Sequence, residues 1–289
     1  MRIGAYVLAA DPTWLRSSLA SYYDHLDALV LAIPADGLGW SGVPVQAQRC
    51  ADIVRQSDHR GIVREVVGRW VDSDDPMRAE NRQRNAAIQA LGDDVDWVLQ
   101  IDSDEILPSF AALKGVLEQA DRRRINSVEW PMRVLYRQLR DGRFLQVMSR
   151  SAQDHFEYPG PIAIRARTPV VQARRTTGGY LRPVIAGDGA SLQVCGPAEP
   201  EEVRLPGLPS LAAIVHNSWA RKPSNVRNKV SSWGHQSDAN WRAYYYLTWL
   251  PATYSWRFLR DFHPFSRGLW PALAPASIPL DDLLRSEDK

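Results

Sequence analysis

The sequence predicts an α/β fold, a mostly parallel sheet flanked by helices, with a helical extension at the C-terminus. Three observations predict it. Short apolar, β-prone runs alternate with helix-length segments through the first 120 residues, an order that calls for right-handed crossovers and parallel strands between layers of helix. Asp11-Pro12 and Asp75-Pro76 each place a capping side chain before a proline at a helix start. Beyond residue 220, "KPSNVRNKVSSWGH" and "DANWRAYYYLTWL" read as helices and lead into an aromatic, proline-rich tail.

In chain order, Ile3 to Ala9 is a buried strand. Asp11-Pro12 opens a helix through "TWLRSSLASYYDHL". Ala28 to Ile33 is the second strand, and "PADGLGWSG" is a loop punctuated by glycine. "VPVQAQRCADIVRQSD" is helical and "GIVREVVG" is the third strand. The helix from Asp75-Pro76 closes on Gly92 and is marked at both ends. Trp97 to Ile101 is the fourth strand, and Ser109 caps the helix "PSFAALKGVLEQA". "INSVEWPMRVLYR" and "GRFLQVMSR" then pair as strands around "RDG". Residues 160–210 are rich in Pro, Gly and Arg, and short strands and loops are expected there. "SLAAIVHNSW" is the last clear strand. Two units follow from this order, 1–220 and 221–289, the second packed on the first.

The chain has 289 residues, 45% hydrophobic and 24% charged, enough for a sizeable core without disulfides. A net charge of +2 gives no support to general nucleic-acid binding. The cations are mostly arginine, whose planar fork suits phosphate. Cys50 and Cys195 form no motif. The N-terminal apolar run is too short for a secretory signal, and no stretch approaches a transmembrane length. The expected compartment is the cytoplasm.

"WVLQIDSDEILP" carries the chemistry. A buried strand ends in Asp102, Asp104 and Glu105. Carboxylates this close raise one another's pKa unless a cation lies between them. A divalent metal, an arginine or solvent on an exposed loop would each meet that need. Ligands of open α/β sheets bind at the carboxyl ends of strands, where Asp102-Ser103-Asp104 falls. On an extended backbone, residues two apart point the same way, so both aspartates would face one cation. Oxygen ligands suit Mg²⁺ or Mn²⁺ and the diphosphates those ions carry. A plain helix-capping turn before "PSFAALKG" is the other reading.

The run "RQRNAAIQALGDDVDWVLQIDSDEIL" resembles the core of family-2-type glycosyltransferases with the GT-A fold, in the variant ending D-x-D-E-hydrophobic. The resemblance extends more loosely from Ile3 to about Arg150 and resumes at "IVHNSWARKPSNVRNKVSSWGH". It implies a hexosyltransferase that moves a sugar from a nucleoside diphosphate sugar to a hydroxyl of a glycan, a lipid-linked or a protein acceptor. Asp102 would lie by the ribose or the metal, with Ser103 beside the nucleotide. Asp104 would be the principal ligand of Mn²⁺ or Mg²⁺, and His216 the late ligand. His216 taken alone reads first as a buried, hydrogen-bonded core histidine, and the resemblance brings the ligand role level with it. Tyr6 and Asp11, at the end of strand one, would cradle the nucleobase, and Asp36 would contact base or ribose. Trp40 would stack on the base or cover the sheet edge. Arg84 would reach the diphosphate or pair with the acids.

The general base is less legible, because the Glu-Asp pair common in the family is missing. Glu129, Asp154 and Glu157 are the acids available, with His155 as a further base; Asp154, in "SAQDHFEYPG", is the chosen candidate. Lys229 and His235 could line the phosphate side. The aromatic tail offers an acceptor platform, a dimer contact or a membrane-surface patch. Three rivals remain. A nucleotidyltransferase would show a Gly-rich, basic loop after strand one, where this chain has "LAADPTW". An aspartate-nucleophile phosphatase would carry its D-x-D on strand one. A non-catalytic sugar- or protein-binding module on the same fold would bind without turnover.

Overall fold

The computed structural model describes residues 1–232 and 240–284. Its first half follows the predicted alternation: β1 (Ile3–Leu8), α1 (Leu15–Ala20), β2 (Ala28–Pro34), α2 (Ala47–Ser57), β3 (Val63–Gly68), α3 (Pro76–Leu91), β4 (Trp97–Leu99), β5 (Glu105–Ile106) and α4 (Phe110–Arg123). Strands then dominate: β6 (Ser127–Glu129), β7 (Met132–Gln138), β8 (Phe144–Met148), β9 (Pro161–Arg165), β10 (Tyr180–Ile185), β11 (Glu202–Leu208) and β12 (Ile214–His216). The C-terminal part holds α5 (Pro223–Ser232), α6 (Trp241–Tyr244), α7 (Ala252–Ser255), β13 (Ala272–Pro275) and α8 (Leu280–Leu283).

Two sheets result. The larger has the order β11-β10-β6-β9-β4-β1-β2-β3. Only its β4–β9 and β6–β9 pairings are antiparallel, so β9 alone runs against the other seven strands. Alternation along the central strands builds a core on each face. Ile3, Ala5, Val7, Leu29, Leu31, Trp97 and Leu99 join the cluster that includes residues of α1, α2 and α4. Tyr6, Val30 and Val98 point the other way, to Ala87, Ile88 and Leu91 of α3. The fold class is thus mixed α/β, with a large, mostly parallel sheet between helices.

The smaller sheet has the order β13-β8-β7-β12-β5. Its presence corrects the reading of "INSVEWPMRVLYR" as one strand. The segment breaks at Trp130-Pro131, giving β6 to the large sheet and β7 to the small one. Proline has no N–H for a ladder, which suits the chain changing sheets there. The β7–β8 hairpin forms as expected, with Gly142 at φ 87° in its turn.

Two helix ends behave as read. The Asp75 side chain accepts the Arg78 N–H at 2.9 Å with Pro76 in the first turn, and Ser109 accepts from Ala112. Asp11-Pro12 does not start its helix. The Asp11 side chain accepts the Thr13 N–H at 2.9 Å in a turn, and α1 begins only at Leu15. The C-terminal part is not purely helical either, since β13 pairs with β8. Its aromatic residues Trp241, Tyr245, Trp249 and Phe262 pack with Tyr136, Val147 and Trp219 into a core of their own.

Candidate functional site

The carboxyl ends of β1 and β2 and the turn after β4 open into a cleft of about 420 Å³. Its walls include Asp11, Trp40, Gln83, Arg84, Asp102, Ser103, Asp104 and Arg221. The sequence had singled out six of these eight, and the topology brings them together from five segments of the chain.

Trp40 forms one wall. Its indole N–H donates to Gln83 Oε1 at 2.7 Å, and Gln83 Nε2 donates to the Ala32 carbonyl at 3.2 Å. The ring is therefore anchored to β2 through α3, a rigid platform beside the cleft. Asp36 sits apart. It is exposed, caps its own loop through the Leu38 N–H at 3.2 Å, and does not line the cleft.

The acids lie at the opposite wall, and the expectation of an extended D-x-D is corrected here. β4 ends at Leu99, and the chain turns so that the Glu105 N–H donates to the Asp102 carbonyl at 3.0 Å. The turn sends the two aspartates to different cations. Arg84 and Arg174 hold Asp102, the first at 3.3 Å. Arg174 also donates to Glu105 at 2.5 Å. Arg221 holds Asp104 and, with its other nitrogen, Asp11. The positive charge that the acidic cluster demands is thus supplied by three arginines.

The electrostatics follow from burial. Arg84 is almost fully enclosed, donating to Glu80 at 2.8 Å and to the Tyr6 hydroxyl at 3.0 Å. Burial opposes its charge, but Tyr6, Asp102 and Glu80 outweigh that and keep it cationic. Burial also works against an ionised Asp102, and Arg174 and Arg84 overcome it to hold the carboxyl below its usual range. Glu105, with no exposed surface, goes the other way, since burial raises it despite Arg174. Burial raises Tyr6 above an ordinary phenol. Its hydroxyl donates to Gln100 Oε1 at 2.8 Å, so Tyr6 supports Arg84 from below the cleft.

No group of three His, Cys, Asp or Glu converges as a metal shell among the described residues. Asp104 and His216 do meet, Oδ2 to Nε2 at 3.7 Å, Asp104 just before β5 and His216 at the end of its antiparallel neighbour β12. Mg²⁺ commonly takes one or two carboxylates and completes its shell with substrate phosphates and water. Asp104 supplies one such carboxylate, through an oxygen that Arg221 also bonds, and His216 adds a nitrogen beside it; the three-residue shell with Asp102 is not assembled.

No protein-family model and no curated protein matches the chain. Among solved structures it is similar to the 4-diphosphocytidyl-2C-methyl-D-erythritol synthase of Anaerococcus prevotii DSM 20548. The two share 17% identity over 57% of this chain and 70% of that chain, with a TM-score of 0.31. A likeness of that size assigns no activity, so the functional reading rests on the site itself.

Asp154 lies away from this cleft. It accepts from Arg133 at 2.7 Å, Gln146 at 3.1 Å and the Ser277 hydroxyl at 3.3 Å, and Arg133 lowers its pKa. His155 is buried, with Nε2 2.8 Å from the Leu269 carbonyl, and burial lowers its pKa. Glu129 is buried and bonded by Arg182 at 2.7 Å. Glu157 differs from these. Burial raises its pKa, the Trp270 indole N–H donates to it, and it senses the charge of His216. His235 and the side chain of Lys229 fall outside the described residues.

Arg174 and Arg221 were missed in the sequence. Arg174 sits in "QARRT", in a stretch without periodicity. Arg221 follows the strand of His216 by five positions, and the unmatched acids were the one signal pointing to it. A second cleft, of about 880 Å³, shares Gln46, Arg221 and Asn225 with the first. Arg16, Arg49 and Lys222 make its wall basic.

Proposed function

We propose that this protein is a metal-dependent glycosyltransferase of the GT-A, family-2-like type, moving a sugar from a nucleoside diphosphate sugar to an acceptor hydroxyl. One observation carries the reading: a single cleft at the carboxyl ends of β1, β2 and β4 joins an anchored indole to a charged end holding Asp104, Arg84 and Arg221. A planar base stacks on such a ring, and a diphosphate needs such cations. The strand order, with β9 reversed beside β4, accords with the same reading.

Trp40 would take the nucleobase, with Ser103 and the ends of β1 around the ribose. Asp104 and His216 would hold Mn²⁺ or Mg²⁺, which when bound neutralises charge on the diphosphate. Arg84 and Arg221 line the same cleft and supply fixed positive charge where the leaving group gains negative charge. The Asp102–Arg174–Glu105 group keeps the turn in place. For proton removal from the acceptor, Glu157 is the better base than Asp154. Burial raises its pKa, which makes it the stronger base of the two once ionised, whereas Asp154 is committed to Arg133; both lie outside the walls of the cleft.

The test is a thermal-shift titration with UDP, GDP, CDP and TDP, each with and without Mn²⁺, followed in parallel by tryptophan fluorescence. Metal-dependent stabilisation by one diphosphate supports the reading and names the donor's base. A folded protein that answers to none of them would overturn it.

A further inference from the structure

Among the described residues, the large apolar side chains left in solvent before residue 240 stand singly along the chain, as at Val67, Val171 and Leu211. One stretch departs from this. Between residues 246 and 265, Tyr246, Leu247, Leu250, Tyr254, Phe258 and Leu259 are all exposed. Leu247 is 74% exposed, Tyr254 65% and Phe258 83%.

Their spacing makes a stripe. Tyr246, Leu250, Tyr254 and Phe258 recur every four residues along a helical run that is a π-helix over Tyr245–Trp249, turns at Leu250-Pro251 and continues as α7, bonded from Leu250 N–H to the Tyr245 carbonyl through Leu259 N–H to the Ser255 carbonyl. Side chains four apart share a helix face. The neighbouring side, Trp241, Tyr245, Trp249 and Ala252, is buried in the aromatic core beside the small sheet. The core therefore already has its share of aromatics, and the outer stripe is additional apolar surface.

The charges around the stripe are of one sign. Arg242, Arg257, Arg260 and Arg267 are exposed, and none makes an ion pair among the described residues. Arg140 lies over the Tyr254 ring at 5.5 Å. The single acid between residues 240 and 267 is Asp261, already bonded to Arg150 at 2.8 Å. Two copies meeting through this face in an isologous contact would set arginine against arginine with no acid between. An anionic lipid surface offers the complementary pairing: phosphates for the guanidinium groups, and a headgroup–acyl boundary for Tyr, Phe and Leu. No helix among the described residues is long and apolar enough to cross a membrane, so the contact would lie in the interface plane.

We infer that the face carried by residues 242–267 is a docking surface for an anionic lipid membrane. The inference does not depend on the glycosyl-transfer reading. If both hold, the cleft works on acceptors presented at a lipid surface.

The experiment is co-sedimentation of the full chain with vesicles of phosphatidylcholine alone and of phosphatidylcholine with phosphatidylglycerol. Binding to the anionic vesicles, weakened by salt, is expected. The Leu247→Ser/Phe258→Ser and Arg257→Gln/Arg260→Gln pairs should each weaken it by about tenfold or more, with unchanged Tm. No binding to anionic vesicles would overturn the inference. So would binding that ignores lipid charge and survives the serine pair. A dimer in light scattering that the serine pair dissolves would assign the face to self-association instead.

Discussion

Arg221 joins Asp11, at the end of the first strand, to Asp104, after the fourth, one nitrogen to each carboxylate. These acids are 93 positions apart in sequence. The guanidinium that closes the gap comes from the turn after β12, and Arg221 Nε is fixed by the Asn217 carbonyl at 3.2 Å. One side chain thus fastens three parts of the fold at the place where the proposed diphosphate would sit.

Asp104→Asn tests the metal edge. The variant keeps the Asp11 contact of Arg221, so the fold should survive with little change in Tm. The Mn²⁺-dependent part of any diphosphate stabilisation should vanish in thermal-shift titration. Metal-dependent stabilisation that persists would remove Asp104 from the role.

Trp40→Ala tests the platform. Loss of a stacked ring costs about 1–3 kcal/mol per base. Calorimetric affinity for the preferred diphosphate should fall accordingly, with the metal dependence retained. Trp40→Phe, which keeps a ring but loses the Gln83 bond, should fall between.

Arg84→Met is expected to be a stability variant as much as a binding one. It leaves Glu80 without its buried cation and Asp102 with Arg174 alone, a change that costs about 3–5 kcal/mol. Urea unfolding should show the midpoint moving down by that equivalent.

Glu157 and Asp154 separate in both activity and stability. Burial raises Glu157, so its ionised form disfavours the fold as pH climbs through the raised pKa. Glu157→Gln removes that cost, so it should lose turnover without losing stability at pH 8. In the unsubstituted protein, the proposed transferase activity should fall as pH drops through the same ionisation. Asp154 is held low by Arg133, so its contribution is full above the ordinary carboxylate pKa and is lost as pH falls through the depressed one. Asp154→Asn should cost about 1–3 kcal/mol near neutrality, with the deficit closing in acid. Its turnover should persist. Loss of turnover in a folded Asp154→Asn with a fully active Glu157→Gln would reverse the assignment.

The legible parts of the fold were those where local chemistry and tertiary structure agree. The helix from Asp75-Pro76 to Gly92 carries its own cap, proline and terminator, so α3 was readable at both ends. The alternation of Ile3, Ala5 and Val7 against Tyr6 needed no partner to declare two buried faces. The D-x-D was legible as a demand for positive charge but not as a geometry. The backbone turns past Leu99, and there Glu105 meets Arg174, a residue 69 positions on that no local pattern links to it. Asp154, chosen from "SAQDHFEYPG", meets Arg133 of β7, a partner that no local pattern announces. Arg174 and Arg221 were hidden for a related reason: in a chain rich in arginine, only the fold selects the few that meet buried acids.

The switch at Trp130-Pro131 gives β6 to one sheet and β7 to the other. A strain that pulls on either sheet must therefore be felt by its neighbour within two residues. The far margin of the small sheet is β13, laid antiparallel along β8 from Met148 to Leu145. Trimming the chain before Ala272 would bare the hydrogen-bonding edge of β8, whose residues Leu145 and Val147 belong to the aromatic core. Such an open, apolar edge is a template for strand addition between molecules. The terminal strand thus acts as a selvedge, and shortened forms should be lost to aggregation before they are lost to unfolding.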